Sequence, residues 1–512
     1  MPKKMPAILL SVLTVLSTLN PTSAQPEERL EQVHEIAKPW LRPPGAPKAS
    51  DVCFSSRSKH PRNEKDPHDT FKTAEAFGVT RYLWIYTEEA AFIQEAKKSA
   101  TSFQCTLNSM VTDQPEGGRQ RGRIMDLNGN LVTGPWMRTW GDPAWGCANS
   151  PEWRESYLAH ARKSLDAGAD LFQMDDPGLN FTAINWGACF CDYCMAGFRV
   201  WLEKNTTPEE QAKLGIADVG TFDYRVHLRA INAPVGDAFG KWDGGALKEH
   251  FKQFQQESVA QFYVDMRAAI DAHAGRHITF SSNNYGGRWT FPYALFDFGV
   301  AEFPRHSVES GAIYDRFVEA RERGKAQVFT LVSEDVALTR RVIATCYASG
   351  GHLLIPWDVF LGNSPTGVRR YFGKSEDFAD LYTFVRKNAD LFDAVEDAAF
   401  VVPGKEDKRY PKAPPVTLQG ADQASAFLRA VPGNPEGSVA IHLIDWSDTP
   451  GAFEVCLEAK LFAGGGQLNA TLLRPSQAPL SLDFALREEK LVLQIPPLSP
   501  WAIIRLGRED NG

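Results

Sequence analysis

The chain has 512 residues, 43% of them hydrophobic and 23% charged, with a formal net charge of −8. This is the make-up of an ordinary globular protein, long enough for one large domain and a smaller one. The acidic balance argues against nucleic acid or an anionic membrane as partner.

The N-terminus reads as an export signal over residues 1–24. Lys3 and Lys4 precede an apolar run from Ala7 to Leu19, and Thr22-Ser23-Ala24 supplies small residues for cleavage before Gln25. That run is shorter than a bilayer-spanning helix needs, and no later stretch approaches one. The expectation is an exported protein, periplasmic or extracellular, that leaves the membrane once the signal is cleaved.

Beyond it, short β-branched or aromatic runs alternate with amphipathic helical patterns, the sign of a parallel sheet with crossover helices. Eight such runs are predicted as strands: Asp51–Ser58, Val79–Thr87, Thr101–Val111, Ala169–Asp176, His277–Tyr285, Phe296–Phe303, Ala326–Asp335 and Gly350–Val359. Helices are predicted between them at Pro151–Ala167, Leu247–His273, Ala312–Arg323 and Thr339–Ser349, and after them at Glu376–Ala394. The fold class expected is α/β, a (β/α)8 barrel over residues 25–395, with long inserts at Thr112–Ser150 and Pro177–Ala246. From residue 396 to 512 only strand patterns remain, which predicts a small all-β sandwich.

The C-terminal ends of the predicted barrel strands are polar: Asp175-Asp176, Asn283-Asn284-Tyr285, Glu302, Glu334-Asp335 and Trp357-Asp358. A barrel gathers these ends on the face where active sites sit. Solvated loop starts are the plainer explanation, but four of these five ends carry a carboxylate. Asp-Asp-Pro-Gly is also a turn sequence, and an Asp pair can bind Ca²⁺. Several of the thirteen tryptophans (Trp136, Trp140, Trp145, Trp186, Trp289) fall in loops. There they either pack the loops down or offer flat faces to sugar rings.

Four cysteines, Cys53, Cys105, Cys346 and Cys456, lie singly in strand or helix patterns and read as packed thiols. The other four are Cys147 and the cluster Cys189-x-Cys191-x-x-Cys194. Three thiolates so close, with a fourth from a neighbouring loop, can close a tetrahedron around Zn²⁺. Disulfides are the alternative in an oxidising compartment. A four-thiolate zinc has no open position, so the metal would be structural and the chemistry would fall to the carboxylates.

The order strand, Gln-x-Asp-carboxylate, loop, C-x-C-x-x-C, helix resembles glycoside hydrolase family 42, the β-galactosidases, and related family-42-like hydrolases. The resemblance covers roughly Asp51 to Phe360 and implies a structural zinc on Cys147, Cys189, Cys191 and Cys194. It also implies a retaining glycosidase with no organic cofactor, whose nucleophile on the seventh strand matches Glu334. The family's acid/base Glu follows Asn at the end of the fourth strand. Here the chain reads Asp175-Asp176-Pro177, so Pro177 stands in the acid's place, or Asp176 does if the distant Asp-Glu-Pro pattern is the guide.

Glycosidic cleavage usually takes two carboxyl groups across one bond. The candidates are Asp176 or Asp175 as acid, Glu334 as nucleophile or base, and Glu302 as a third group. Asn283, Asn284, Tyr285, Trp357 and Asp358 are candidate sugar contacts. The expected function is hydrolysis of an oligo- or polysaccharide, with a carbohydrate-binding protein of degenerate site as the alternative. A metal-dependent hydrolase fits less well, since only His352 lies in the interior of a predicted strand and no H-x-H or H-E-x-x-H occurs. The residues leave oligomeric state open.

Overall fold

The computed structural model describes residues 31–56, 69–109, 122–140, 144–303, 308–357, 374–410, 413–462 and 468–508. The expected signal segment and Asp358 lie outside the described residues. Eight parallel strands close into a barrel: β1 Cys53–Ser55, β2 Arg81–Ile85, β3 Ser102–Asn108, β4 Leu171–Asp175, β5 Phe280–Ser282, β6 Phe298–Glu302, β7 Ala326–Thr330 and β8 His352–Pro356. They pair in chain order, and β1 meets β8 at Phe54↔Ile355 to complete the ring. Each falls inside a run predicted from sequence. The match has a physical reason, because these strands are covered on both faces and read as continuous apolar runs. All five residues of β4, β7 and β8 are buried.

Crossover helices supply the outer layer. Helix Pro151–Asp166 starts at Ser150, whose hydroxyl accepts the Trp153 amide (3.3 Å), with proline in its first turn. Helix Gly245–Ala274 runs 30 residues and buries Phe251, Val259, Phe262, Met266 and Ile270 along one stripe. It stops at Gly275, which takes φ +65°, a left-handed cap that glycine adopts without penalty.

The remaining strands are antiparallel: β9 Glu396–Val401, β10 Val416–Gln419, β11 Ala424–Ala430, β12 Val439–Asp445, β13 Phe453–Glu458, β14 Leu468–Leu473, β15 Leu480–Leu482, β16 Ala485–Arg487, β17 Lys490–Ile495 and β18 Trp501–Arg508. They form a four-stranded sheet, β10-β13-β17-β16, and a six-stranded sheet, β15-β14-β18-β12-β11-β9. Leu428, Ile441, Leu443, Val455, Leu493 and Ile504 fill the space between them. The fold is thus a (β/α)8 barrel followed by a β-sandwich. All ten antiparallel strands lie in the stretch read from sequence as strands only. β15 and β16 are three-residue pieces with exposed residues, and β9 opens with Glu396-Asp397 directly behind a helix.

The sandwich shares a core with the barrel helices. Trp501 is fully buried, with its ring 5.1 Å from Phe384, 5.9 Å from Phe392 and 5.9 Å from His442. Ser310 and Ser425 hydroxyls meet at 2.8 Å, and the Tyr314 hydroxyl donates to Asp397 (3.0 Å) across the same seam. Removing the indole leaves a cavity that rigid neighbours on both sides cannot fill. Trp501→Ala is expected to cost about 3–5 kcal/mol, read as a lower urea midpoint.

Candidate active site at the barrel mouth

Asp175 is the last residue of β4 and is buried. The Tyr86 hydroxyl, just past β2, donates to its Oδ2 and in turn accepts from the Trp84 indole N–H (3.1 Å). Its Oδ1 accepts the Asp176 amide (3.1 Å). Asp175 is therefore a fixed acceptor held by a short relay. Asp176 leaves the sheet with φ +51°, a region few side chains adopt and Asp tolerates best with Asn. Such a residue costs about 1–3 kcal/mol and persists only where its surroundings impose it.

Asp176 is half-buried, and its carboxyl is held well above the usual carboxylate range. Burial is the first cause, followed by the charges of Asp175 and of Glu302, the residue that ends β6. The Trp136 indole opposes the shift by favouring the ionised form. Tyr263 and Tyr293, both pushed upward by burial, also feel Asp176. The arrangement is that of a carboxylic acid keeping its proton beside two others, which is what a general acid requires.

Of the sequence candidates, the structure brings together Asp175, Asp176 and Glu302. Glu334 lies in the loop past β7, which ends four residues earlier at Thr330, and is exposed, as Glu302 is. Its neighbour Asp335 caps helix Val336–Ala348 by accepting the Leu338 amide (2.9 Å). Asn284 is fully buried inside the barrel, exchanging hydrogen bonds with Gln327 (2.7 and 3.1 Å), so its expected sugar contact gives way to a packing role. Trp357 is likewise buried, edge-on to Phe77. Asn283 remains a candidate, since its side-chain oxygen is buried without a partner. Tyr285 is 64% exposed with Arg288 over its ring (5.1 Å). His352 is buried with Nε2 2.6 Å from the Lys48 carbonyl, and burial pushes it down to about 4. The sequence reading did not single out Tyr86 at all, and it named Trp136 only as a loop tryptophan.

The two long inserts meet at the cysteines. Cys147, Cys189, Cys191 and Cys194 are buried, and their sulfurs lie within 4.8 Å of one another, the one such ligand group among the described residues. Cys147 is 3.5 Å from Cys191, 3.5 Å from Cys194 and 3.8 Å from Cys189. Four sulfurs at about 2.3 Å from a zinc ion stand about 3.8 Å apart, so the set fits a tetrahedral ion. None of the four is disulfide-bonded. The Asn180 amide donates to Cys147 (3.3 Å) and Cys194 (3.2 Å), the outer contacts that orient metal thiolates. Cys53, Cys105, Cys346 and Cys456 are buried free thiols, as their settings suggested.

No protein-family model matches the chain. An α-agarase of Thalassotalea agarivorans is 26% identical over 239 residues, covering 41% of this chain and 15% of that protein. An α-agarase of Alteromonas agarilytica is 25% identical over 232 residues, covering 41% and 16%. The chain thus spans about a sixth of the length of the curated relatives it matches. Distant structural likenesses include a debranching enzyme of Nostoc punctiforme (TM-score 0.45, 11% identity, 91% of this chain and 100% of that one). Another is an α-amylase of H. orenii (TM-score 0.47, 9% identity, 90% and 99%). Both curated relatives are α-agarases, neither a β-galactosidase, and they do not support the resemblance to family 42 in particular.

The packing role of Asn284 has a direct consequence. Asn284→Ala strands the buried Gln327 amide and should lower stability by about 1–3 kcal/mol in urea unfolding.

Proposed function

We propose that the protein is a glycoside hydrolase acting on an oligo- or polysaccharide, with Asp176 as the general acid and Glu302 as the second carboxylate. The observation that carries this reading is the Asp176 carboxyl at the open end of a barrel, its ionisation disfavoured by burial and by the neighbouring Asp175 and Glu302. In the reaction Asp176 would give its proton to the leaving oxygen while Glu302 attacks the anomeric carbon or activates water. Asp175 is held in place by the Tyr86 hydroxyl and the Asp176 amide. Glu334 stays as the competing second carboxylate implied by the family resemblance, and retention as the stereochemistry that resemblance implies. Asn283 and Tyr285 are the proposed sugar contacts. The α-agarase relatives make agarose-derived oligosaccharides the first substrates to try, with β-galactosides second. The signal-like N-terminus supports export with residues 1–24 removed, and residues 25–395 and 396–512 serve as barrel and sandwich units.

We further propose that the four cysteines hold a structural zinc. The ion would tie the two inserts together and take no part in proton transfer.

A panel of agar, galactan and aryl-glycoside substrates tests the reading. Asp176→Asn and Glu302→Gln are each expected to lower kcat at least about 10³-fold, while Glu334→Gln retains activity. Loss in Glu334→Gln with activity kept in Glu302→Gln would restore the seventh-strand nucleophile. Because the acid must be protonated, wild-type kcat/KM should fall as pH rises through the elevated Asp176 value. Sugar binding without turnover in wild type would favour the degenerate-site alternative.

Metal analysis of the purified protein should find about one zinc per chain. Cys147→Ser should remove the metal and lower the melting temperature.

A further inference from the structure

Of the loop tryptophans, Trp145, Trp186 and Trp289 are buried at 1%, 9% and 2% exposure, so for them packing is the whole explanation. Trp136 differs, with 49% of its surface exposed. It lies on the short 3-10 segment Pro135–Trp140 of the insert after β3. Its ring meets Trp145 (5.5 Å, 70°) and Trp186 (5.2 Å, 75°) edge to face, and those two meet each other at 5.0 Å and 84°. Three indoles in a closed edge-to-face triangle are mutually stabilised and leave little freedom to any of them. Gly134 makes room for the stack: a Cβ there would stand 3.0 Å from Trp145 Cζ2 and 3.3 Å from Trp136 Cζ2. The result is an indole braced by two others that keeps half of its surface exposed and interacts with the Asp176 carboxyl.

A large apolar face held in water beside an acid forgoes the stabilisation that burial would bring. Its chemistry suits the C–H face of a pyranose ring. We propose that Trp136 is the stacking platform for the sugar bound next to Asp176, so that one residue both seats the ring and touches the carboxyl that would protonate its leaving oxygen. The proposal rests on the hydrolase reading of Asp176 and adds to it a specificity-determining residue outside the barrel strands. The groups facing Asp176 are Asp175 from β4, Glu302 from β6, Tyr263 from helix Gly245–Ala274 and Tyr293 from the turn after β5, with Arg288 and Tyr285 beside Tyr293. Trp136 is the group among them that favours the ionised acid.

Two variants separate the two contacts. Trp136→Phe keeps an aromatic face and loses the N–H; Trp136→Ala loses both. With the best substrate of the panel, Trp136→Ala should raise KM about tenfold, equal to about 1.4 kcal/mol, while Trp136→Phe stays within about threefold of wild type. In both, the alkaline limb of kcat/KM should move to higher pH, since a contact stabilising the carboxylate is gone. Wild-type KM in a folded Trp136→Ala, or an unmoved limb in Trp136→Phe, would overturn the proposal. The platform is also read without turnover, by calorimetric titration with agarose-derived oligosaccharides. Binding lost in Trp136→Ala yet kept in a non-hydrolysing Asp176→Asn supports it, even if wild type proves unable to cleave. Equal binding in wild type and Trp136→Ala overturns it with the hydrolase reading intact, and no sugar binding by wild type overturns both.

Discussion

Like charges crowd where β4 and β6 end, and much of the mouth is arranged around that repulsion. Burial and the charges of Asp175 and Glu302 make ionising Asp176 costly. The protein separates their roles through the donors it offers. Asp175 receives the Tyr86 hydroxyl and a backbone amide, both of which suit an acceptor. Asp176 turns out of the sheet through a left-handed backbone, and it is the group whose ionisation burial disfavours.

That division needs stiff surroundings, because a backbone at φ +51° relaxes if its neighbours yield. Behind Asp175 the barrel strands supply the stiffness. Above it the inserts do so with a core of their own: Ile124, Trp145, Phe190, Phe198, Tyr224 and Phe251 cluster around the four cysteines. An insert of this length without packing would be uncommon in a compact domain. Asn180 joins the two systems, since its oxygen accepts the Ala148 amide (2.9 Å) while its nitrogen reaches two of the sulfurs. Full burial and these bonds also explain why its Asn-x-Thr sequence is no accessible glycosylation site.

The barrel was legible because doubly covered strands write themselves as apolar runs, and the cysteine cluster because ligand spacing is local in sequence. What depended on strand ends was not. Ala326–Asp335 reads as one strand, yet pairing stops at Thr330, and the apolar Leu331-Val332 that follow belong to the loop. Glu334 therefore lies in the loop past the strand rather than on the strand itself. Asn283 and Asn284 are indistinguishable as letters, but only Asn284 points between strands toward Gln327, while the Asn283 oxygen finds no partner. The Tyr86 contact to Asp175 spans 89 residues and leaves no mark in either segment. Among the tryptophans, residue type spoke for sugar and for packing equally, and exposure alone distinguishes Trp136.

Pro177 illustrates how a departure from a family pattern can mislead. Compared letter by letter, it replaces an acid. In space it is buried, and Gly178 behind it begins helix Leu179–Ala183 so tightly that a Cβ would overlap Thr182 Oγ1 at 1.7 Å. A proline also restricts the residue before it, and that residue is Asp176. The Asp-Asp-Pro-Gly stretch is thus a turn and a site at once, with the turn directing the second aspartate to the mouth. Under the proposed reading the acid stands one position back, and its side chain is one methylene shorter than the Glu of the pattern. A shorter acid widens the gap to a facing carboxylate, and the width of that gap is what separates inverting from retaining geometry.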